Sequence, residues 1–231
     1  HLESLKNIDG VFKVKSEIVK NIKKNGFLVV PNNNKKHLNK WKKMRSDITT
    51  ISFGMKDDSD FYPIDVNIKQ NGLSFLVTSR LLEKPIKISS SLEGVHNVKN
   101  ILSACAVHYC LGQNLQDFSK LISLSKLDNL RQVKYKWLKG STLIDDSYNA
   151  NPDSTKKSID LLSNYNKKTV LLLGDMLELG RYKNKLHKEV GEYAKSKGIS
   201  KLIAFGNLTR HSIDGFGKNG IFFNDETKLK N

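Results

Sequence analysis

Ile144-Asp-Asp-Ser-Tyr-Asn-Ala-Asn-Pro152 decides how this chain folds, and Val170-Leu-Leu-Leu-Gly-Asp-Met-Leu-Glu-Leu-Gly180 repeats its logic further on. Each opens on a short apolar run and stops abruptly at polar groups. A run of that kind, bounded by turn residues, reads as a buried strand, and open α/β sheets carry their ligand chemistry at the carboxyl ends of such strands. Asp145 and Asp146 sharpen the point. Two acids closing a buried strand carry a desolvation cost unless something binds them, so the first segment predicts a functional edge.

Working outward, a strand is expected at residues 143–145, a helix at 154–162, a strand at 169–173, a helix at 185–197, and strands at 202–205 and 221–223. Strands alternating with helices over short links predict parallel pairing with helical crossovers. The expected class is therefore α/β, with a doubly wound, Rossmann-like domain whose sheet is buried on both faces. The first half is more mixed. A helix is expected over residues 11–23 and strands at 27–30, 49–53, 64–68, 73–78 and 86–88, from alternation and β-branched content, with Asn32–Asn34 as a turn. Residues 98–111 read as an apolar helix closed by Gly112, and 115–123 as a second, short one. Residues 126–139 are charged and lack helical periodicity, which puts a domain boundary near Asp128 and divides the chain into 1–128 and 129–231.

The chain has 231 residues and 38% hydrophobic content, enough for one large domain or two ordinary ones with a sizeable core. No stretch approaches the roughly 18 apolar residues of a membrane helix, and the start lacks the layout of a secretory signal, so the cytoplasm is the expected location. Cys105 and Cys110 lie five apart in an expected helix, point in different directions, and read as small core residues of a reducing compartment. The first residue is His1 and not Met, and Asp225-Glu-Thr-Lys-Leu-Lys-Asn231 reads as the opening of a further helix. Part of a longer protein is expected.

A formal net charge of +16 raises the question of nucleic acid, since clustered cations release counterions from phosphate backbones. The charge is spread and not clustered. Thirty-four of the thirty-nine cations are lysines and five are arginines, and no exposed aromatics are interleaved with them. Base readout favours arginine and single-strand binding needs stacking platforms, so a solvated lysine-rich surface is the better reading.

The phosphate-loop pattern G-x-x-x-x-G-K-[ST] is absent: Gly217-Lys218 runs into Asn219 and has no earlier glycine in register. Three other pieces are bland one by one. His1-Leu-Glu3 and the lysines of Gly10-Val-Phe-Lys-Val-Lys-Ser-Glu17 would be surface residues, and Asn97 of Gly94-Val-His-Asn97 would be a helix cap. Asn151 or Asp153 would cap the helix after the acidic segment. Taken together, in this order and spacing over essentially all of the chain, these pieces resemble the Mur ligases, in the branch that adds D-alanyl-D-alanine.

The resemblance implies the C-terminal part of a central ATPase domain followed by a Rossmann-like ligase domain, with the phosphate loop and the sugar-nucleotide domain upstream of His1. It implies ATP and Mg²⁺ as cofactors, with His1 and Lys15, the latter as a carbamate, on the metal. A carbamate supplies the anionic oxygen that a hard cation takes and an ammonium cannot. His96 and Asn97 are implied at the nucleotide base, Asp146 at the ribose, and Arg131 near the phosphates, although Leu130 stands here where the family has glycine. Tyr148, Asn149, Asn151, Asp175 and Glu178 are implied as substrate-binding. The implied reaction joins UDP-N-acetylmuramoyl-tripeptide to D-alanyl-D-alanine through an acyl phosphate, in peptidoglycan precursor synthesis, by a monomer. Rivals are a diamino-acid-adding ligase or folylpolyglutamate synthase, against which the Asp-Asp-Ser-Tyr-Asn-Ala-Asn form and the lack of an Asp-Asn-Pro-Arg signature speak, and, more remotely, a basic nucleic-acid-binding domain.

Overall fold

The first described helix, α1 (Ile8–Lys15), tightens into a 3-10 turn over Ser16–Asn21. The expected helix over 11–23 thus starts earlier and changes pitch at Ser16. Its cause is local: the Ser16 hydroxyl donates back to the Phe12 carbonyl at 2.6 Å and accepts the Trp41 indole N–H at 2.9 Å, and such back-bonding competes with the regular ladder. This computed structural model describes residues 7–69, 72–124, 132–165 and 167–224. They fall into two compact units, one within Phe12–Lys126, the other after it together with residues up to Val11.

In the first unit, β1 (Phe27–Pro31) and β2 (Thr49–Phe53) pair in parallel through a crossover helix, α2 (Lys35–Met44). That helix was hidden behind the Asn32–Asn34 turn. Asn34 is its N-cap, accepting the His37 amide at 3.2 Å, and His37 and Leu38 are its buried residues. Strands β3 (Tyr62–Lys69), β4 (Gly72–Thr78) and β5 (Ile86–Ser90) form an antiparallel sheet in sequence order. On β4 the alternate residues Leu73, Phe75 and Val77 are buried, the period of two that a one-faced strand requires. Helix α3 (Val95–Cys110) lays Val98, Ile101, Leu102, Cys105 and Ala106 into the same core, and α4 (Leu115–Leu124) adds Leu115 and Phe118. Burial pushes the Cys105 thiol up to about 12, which leaves it an inert core residue as expected.

Asp60 is a buried acid of this unit, as is Glu93. Its Oδ2 accepts the Ser52 amide at 2.8 Å and the Ser52 hydroxyl at 2.6 Å, and its Oδ1 meets Arg80 at 2.7 Å. Burial alone would raise its pKa, but the two Ser52 bonds and the Arg80 charge outweigh it and hold the carboxyl below the usual range. Arg80 is largely exposed, so most of the stabilisation comes from Ser52. A depressed carboxyl contributes stability that is present above its unfolded value and lost as pH falls through the folded one. Asp60→Asn should cost on the order of 3 kcal/mol at neutral pH and flatten the stability loss below about pH 4. Denaturant titrations of both forms between pH 7 and 3 check this; parallel curves would remove Asp60 as a source of the acid slope.

The second unit opens with an antiparallel hairpin, β6 (Val133–Lys136) and β7 (Thr142–Asp145), turned by Leu138–Gly140 with positive φ at Lys139 and Gly140. There follow α5 (Pro152–Ser163), β8 (Val170–Gly174), α6 (Lys183–Ser196), β9 (Lys201–Phe205), α7 (Arg210–Phe216) and β10 (Gly220–Phe223). Strands β8, β9 and β10 are parallel and lie side by side in chain order. Ile159, Leu173, Val190, Ala194, Leu202 and Phe216 form the core, so α5, α6 and α7 all pack on one face.

One expectation for this unit is corrected. The strand ending in Asp145 pairs antiparallel with β6, and Thr142 and Leu143 are exposed, so it is not a buried strand. The parallel strands joined by helices fit the expected Rossmann-like class, and among the described residues Val170 is 48% and Leu172 60% exposed on the sheet face away from these helices. Topology supplies the reason. Right-handed crossovers that advance in one direction put their helices, here α6 and α7, on the same side, and only a reversal of strand order sends a helix to the other. Among the described residues no helix is long and apolar enough to cross a membrane.

Candidate functional site

Gly94 carries φ +85, and a Cβ there would come within 2.7 Å of the His96 ring, which folds back over it. Glycine is therefore required at this entry to α3. The helix begins at Val95, so Asn97 is not its cap. Its buried amide donates from Nδ2 to the Glu93 carbonyl at 2.7 Å and accepts from Asn100 Nδ2 at 3.1 Å. Those two bonds fix which end of the amide is donor and which acceptor. Lys15 is exposed at the last turn of α1. His1 and Arg131 lie outside the described residues.

At the end of β7, Asp145 Oδ1 accepts the Ser147 amide at 3.1 Å, and Asp146 Oδ2 accepts a hydrogen bond from the Ser158 hydroxyl on α5. Both acids are half-buried and are satisfied locally, which answers the desolvation argument without any ligand. Tyr148, Asn149 and Asn151 are exposed. Asn151 forms a reciprocal capping box with Ser154: its Oδ1 accepts the Ser154 amide at 2.9 Å and its own amide donates to Ser154 Oγ at 3.0 Å. The cap holds the start of α5, and one turn later Ser158 reaches Asp146. The sequence reading passed over Ser158, although Asn151, Ser154 and Ser158 share one helix face by their spacing.

The segment after β8 is anchored and displayed by turns. Asp175 Oδ1 accepts the amides of Leu208 and Thr209, each at 2.9 Å, while Met176 and Leu179 are buried. Leu177 and Glu178 face solvent, with Glu178 at φ +60. Asp175 thus ties the end of β8 to the loop after β9, and it can do so because Gly206 lacks a side chain: a Cβ there would sit 2.6 Å from the Asp175 carboxyl, at φ +114. Gly206→Ala should lower stability by about 2 kcal/mol or more, from strain and from the displaced carboxylate. Thermal unfolding beside wild type measures it, and an unchanged midpoint would mean the two loops are not held this tightly.

For a divalent cation the fit is one of donor type. Among the described residues no three His, Cys, Asp or Glu side chains converge to hold a metal. Lys15 is open to solvent and hence to carbon dioxide, and the carbamate oxygen it would carry is a ligand that Mg²⁺ accepts.

Residues 1–108 match the Mur ligase middle domain and residues 131–226 the Mur ligase glutamate ligase domain. The UDP-N-acetylmuramoyl-tripeptide--D-alanyl-D-alanine ligase of Haemophilus influenzae is 31% identical over 229 residues, covering 99% of this chain and 48% of that protein. The chain thus spans about half the length of that relative. Among solved structures, MurF from Acinetobacter baumannii superposes with a TM-score of 0.89 at 23% identity, over 99% of this chain and 49% of that one. MurF ligase from Thermotoga maritima, solved in complex with ADP, gives 0.82 at 22% identity over 100% and 51%.

Proposed function

This chain belongs to the Mur ligase family, and from that premise we propose that it is part of the ATP-dependent ligase that adds D-alanyl-D-alanine to UDP-N-acetylmuramoyl-tripeptide. The observation that carries the reading is likeness to a dipeptide-adding ligase along 99% of the chain, through both acidic strand ends. In this reading residues 1–128 are the C-terminal part of the ATP-binding domain and 129–231 the ligase domain. The protein acts in the cytoplasm, on peptidoglycan precursors.

The reaction has two displacements. A substrate carboxylate oxygen attacks the γ-phosphorus and ADP leaves; the dipeptide amine, having lost a proton, then attacks the acyl carbon, and the tetrahedral intermediate expels phosphate. Both steps need charge neutralised and two reactants held in line. Mg²⁺, held by His1 and carbamylated Lys15, would supply the charge neutralisation. Asp146, with one oxygen steadied by Ser158, offers its carboxylate to ribose hydroxyls as a charge-assisted acceptor. Asn97, its amide fixed in orientation, offers one donor and one acceptor to an adenine edge, His96 is assigned to the same base, and Arg131 would serve the phosphates. Tyr148 and Asn149 line the substrate side, and Asn151 serves it by fixing the start of α5. Glu178 is the carboxylate for the dipeptide's ammonium group, and Asp175 sets the loop that carries it.

Phosphate release by the complete protein, supplied with ATP, Mg²⁺ and the UDP-tripeptide, tests the proposal. Release is expected with D-alanyl-D-alanine and not with lysine, diaminopimelate or glutamate. Preference for one of those single amino acids would replace this reading with that of another ligase of the superfamily.

A further inference from the structure

His187 is fully buried on α6, yet both of its ring nitrogens are used. The Met176 amide donates to Nε2 at 3.0 Å, and Nδ1 lies 2.7 Å from the Lys183 carbonyl one turn back. Because a backbone N–H can only donate, Nε2 must present a lone pair, so the proton sits on Nδ1 and is given to Lys183. No other protonation state satisfies both neighbours. The imidazole is therefore a fixed acceptor aimed at the backbone of the Gly174–Gly180 segment, from a helix that is itself locked. The His187 carbonyl accepts the Ser212 hydroxyl at 2.9 Å, and at Gly191, one turn on, a Cβ would meet the Ser212 carbonyl at 1.9 Å.

The segment is pinned from three sides around Met176. Asp175 holds the amides of Leu208 and Thr209, the Met176 sulfur accepts the Thr155 hydroxyl at 3.5 Å, and the Met176 amide goes to His187. Immediately beyond these anchors the chain turns outward, exposing Leu177 and Glu178. We propose that His187 is a positioning residue: its Nε2 fixes the Met176 backbone so that Glu178 is presented to the amine substrate. This rests on the ligase reading above for the identity of the substrate, while the holding of the loop does not.

Two replacements separate positioning from general support. In His187→Gln the amide reaches the place of Nε2 and can still accept from Met176; in His187→Asn the amide replaces Nδ1 and leaves the Met176 amide without an acceptor. In the complete enzyme, His187→Asn is expected to raise the KM for D-alanyl-D-alanine about tenfold while the KM for ATP stays within about twofold, and Gln is expected to restore most of the loss. Amide hydrogen exchange at Met176 should quicken in the Asn variant and not in the Gln variant. Equal effects of the two replacements, or a parallel rise of both KM values, would overturn the proposal, as would unchanged exchange at Met176. If wild-type enzyme shows no dipeptide-dependent phosphate release, the ligase reading fails, and the exchange comparison still decides whether His187 holds the loop. Should the Asn variant not fold, imidazole nitrogen spectra of ¹⁵N-labelled wild type decide: a protonated Nδ1 with bare Nε2 is expected, and the opposite tautomer would sink the idea.

Discussion

Lys15→Ala in the complete enzyme is expected to lose turnover on the order of a hundredfold, and Lys15→Arg to be as poor. Fold stability gives no reason for either loss. Lys15 is exposed at the end of α1, and alanine is the best helix former. The reason is chemical: a carbamate places an anionic oxygen where a cation must sit, whereas a guanidinium keeps a positive charge there and cannot be carbamylated. Wild-type activity should also rise with added bicarbonate after carbon dioxide is removed, and the variants should not respond. Steady-state rates with and without bicarbonate make the comparison. Near-normal turnover of the Arg variant would return Lys15 to the ordinary solvated lysines of this surface.

Asp146→Ala should lower kcat/KM for ATP by about a hundredfold, with the fold intact. The half-buried carboxylate has Ser158 as its neighbour, and the Ser158 hydroxyl also lies 3.1 Å from the Ser154 carbonyl, so it keeps a partner when Asp146 is gone. The stability cost should therefore stay near 1 kcal/mol. Ser158→Ala removes only the hydroxyl that steadies the acid, and a smaller rise of about fivefold in the KM for ATP is expected. Kinetics and thermal unfolding of both variants give the ordering. Wild-type ATP kinetics in Asp146→Ala would take this residue out of the nucleotide site.

Much of the fold was legible because apolar spacing reports burial directly. Leu73, Phe75 and Val77 announce a one-faced strand, and Val98, Ile101, Leu102 and Cys105 a helix stripe, and each occurs close to where the pattern puts it. Elements whose faces are polar were missed. In α2 only His37 and Leu38 are buried among lysines and asparagines, and in β6 the alternation of Val133 and Tyr135 with Lys134 and Lys136 was obscured by its charge. Strand order was not legible at all. Nothing in residues 170–223 says which side the next strand will take, so the order of β8, β9 and β10 is set by tertiary packing and not by local pattern. At the candidate site, the sequence marks the acids, and the spacing of Asn151, Ser154 and Ser158 marks a shared helix face, but Gly206 and His187 act through three-dimensional neighbours and carry no local signature.

The exposed face of the parallel sheet also gives the lysine surplus a colloidal meaning. Among the described residues, Val170, Leu172 and Ile221 present an exposed apolar strip on the parallel sheet. Two such strips brought together would gain on the order of 25 cal/mol for each square ångström they hide. A net charge of +16 opposes that encounter at long range, and dissolved salt shortens the reach of the repulsion to about 10 Å at 0.1 M. In a solution of this polypeptide, therefore, repulsion between like-charged copies works against the stickiness of the open strip. Dilute buffer favours dispersed molecules, and rising ionic strength progressively removes the barrier between them.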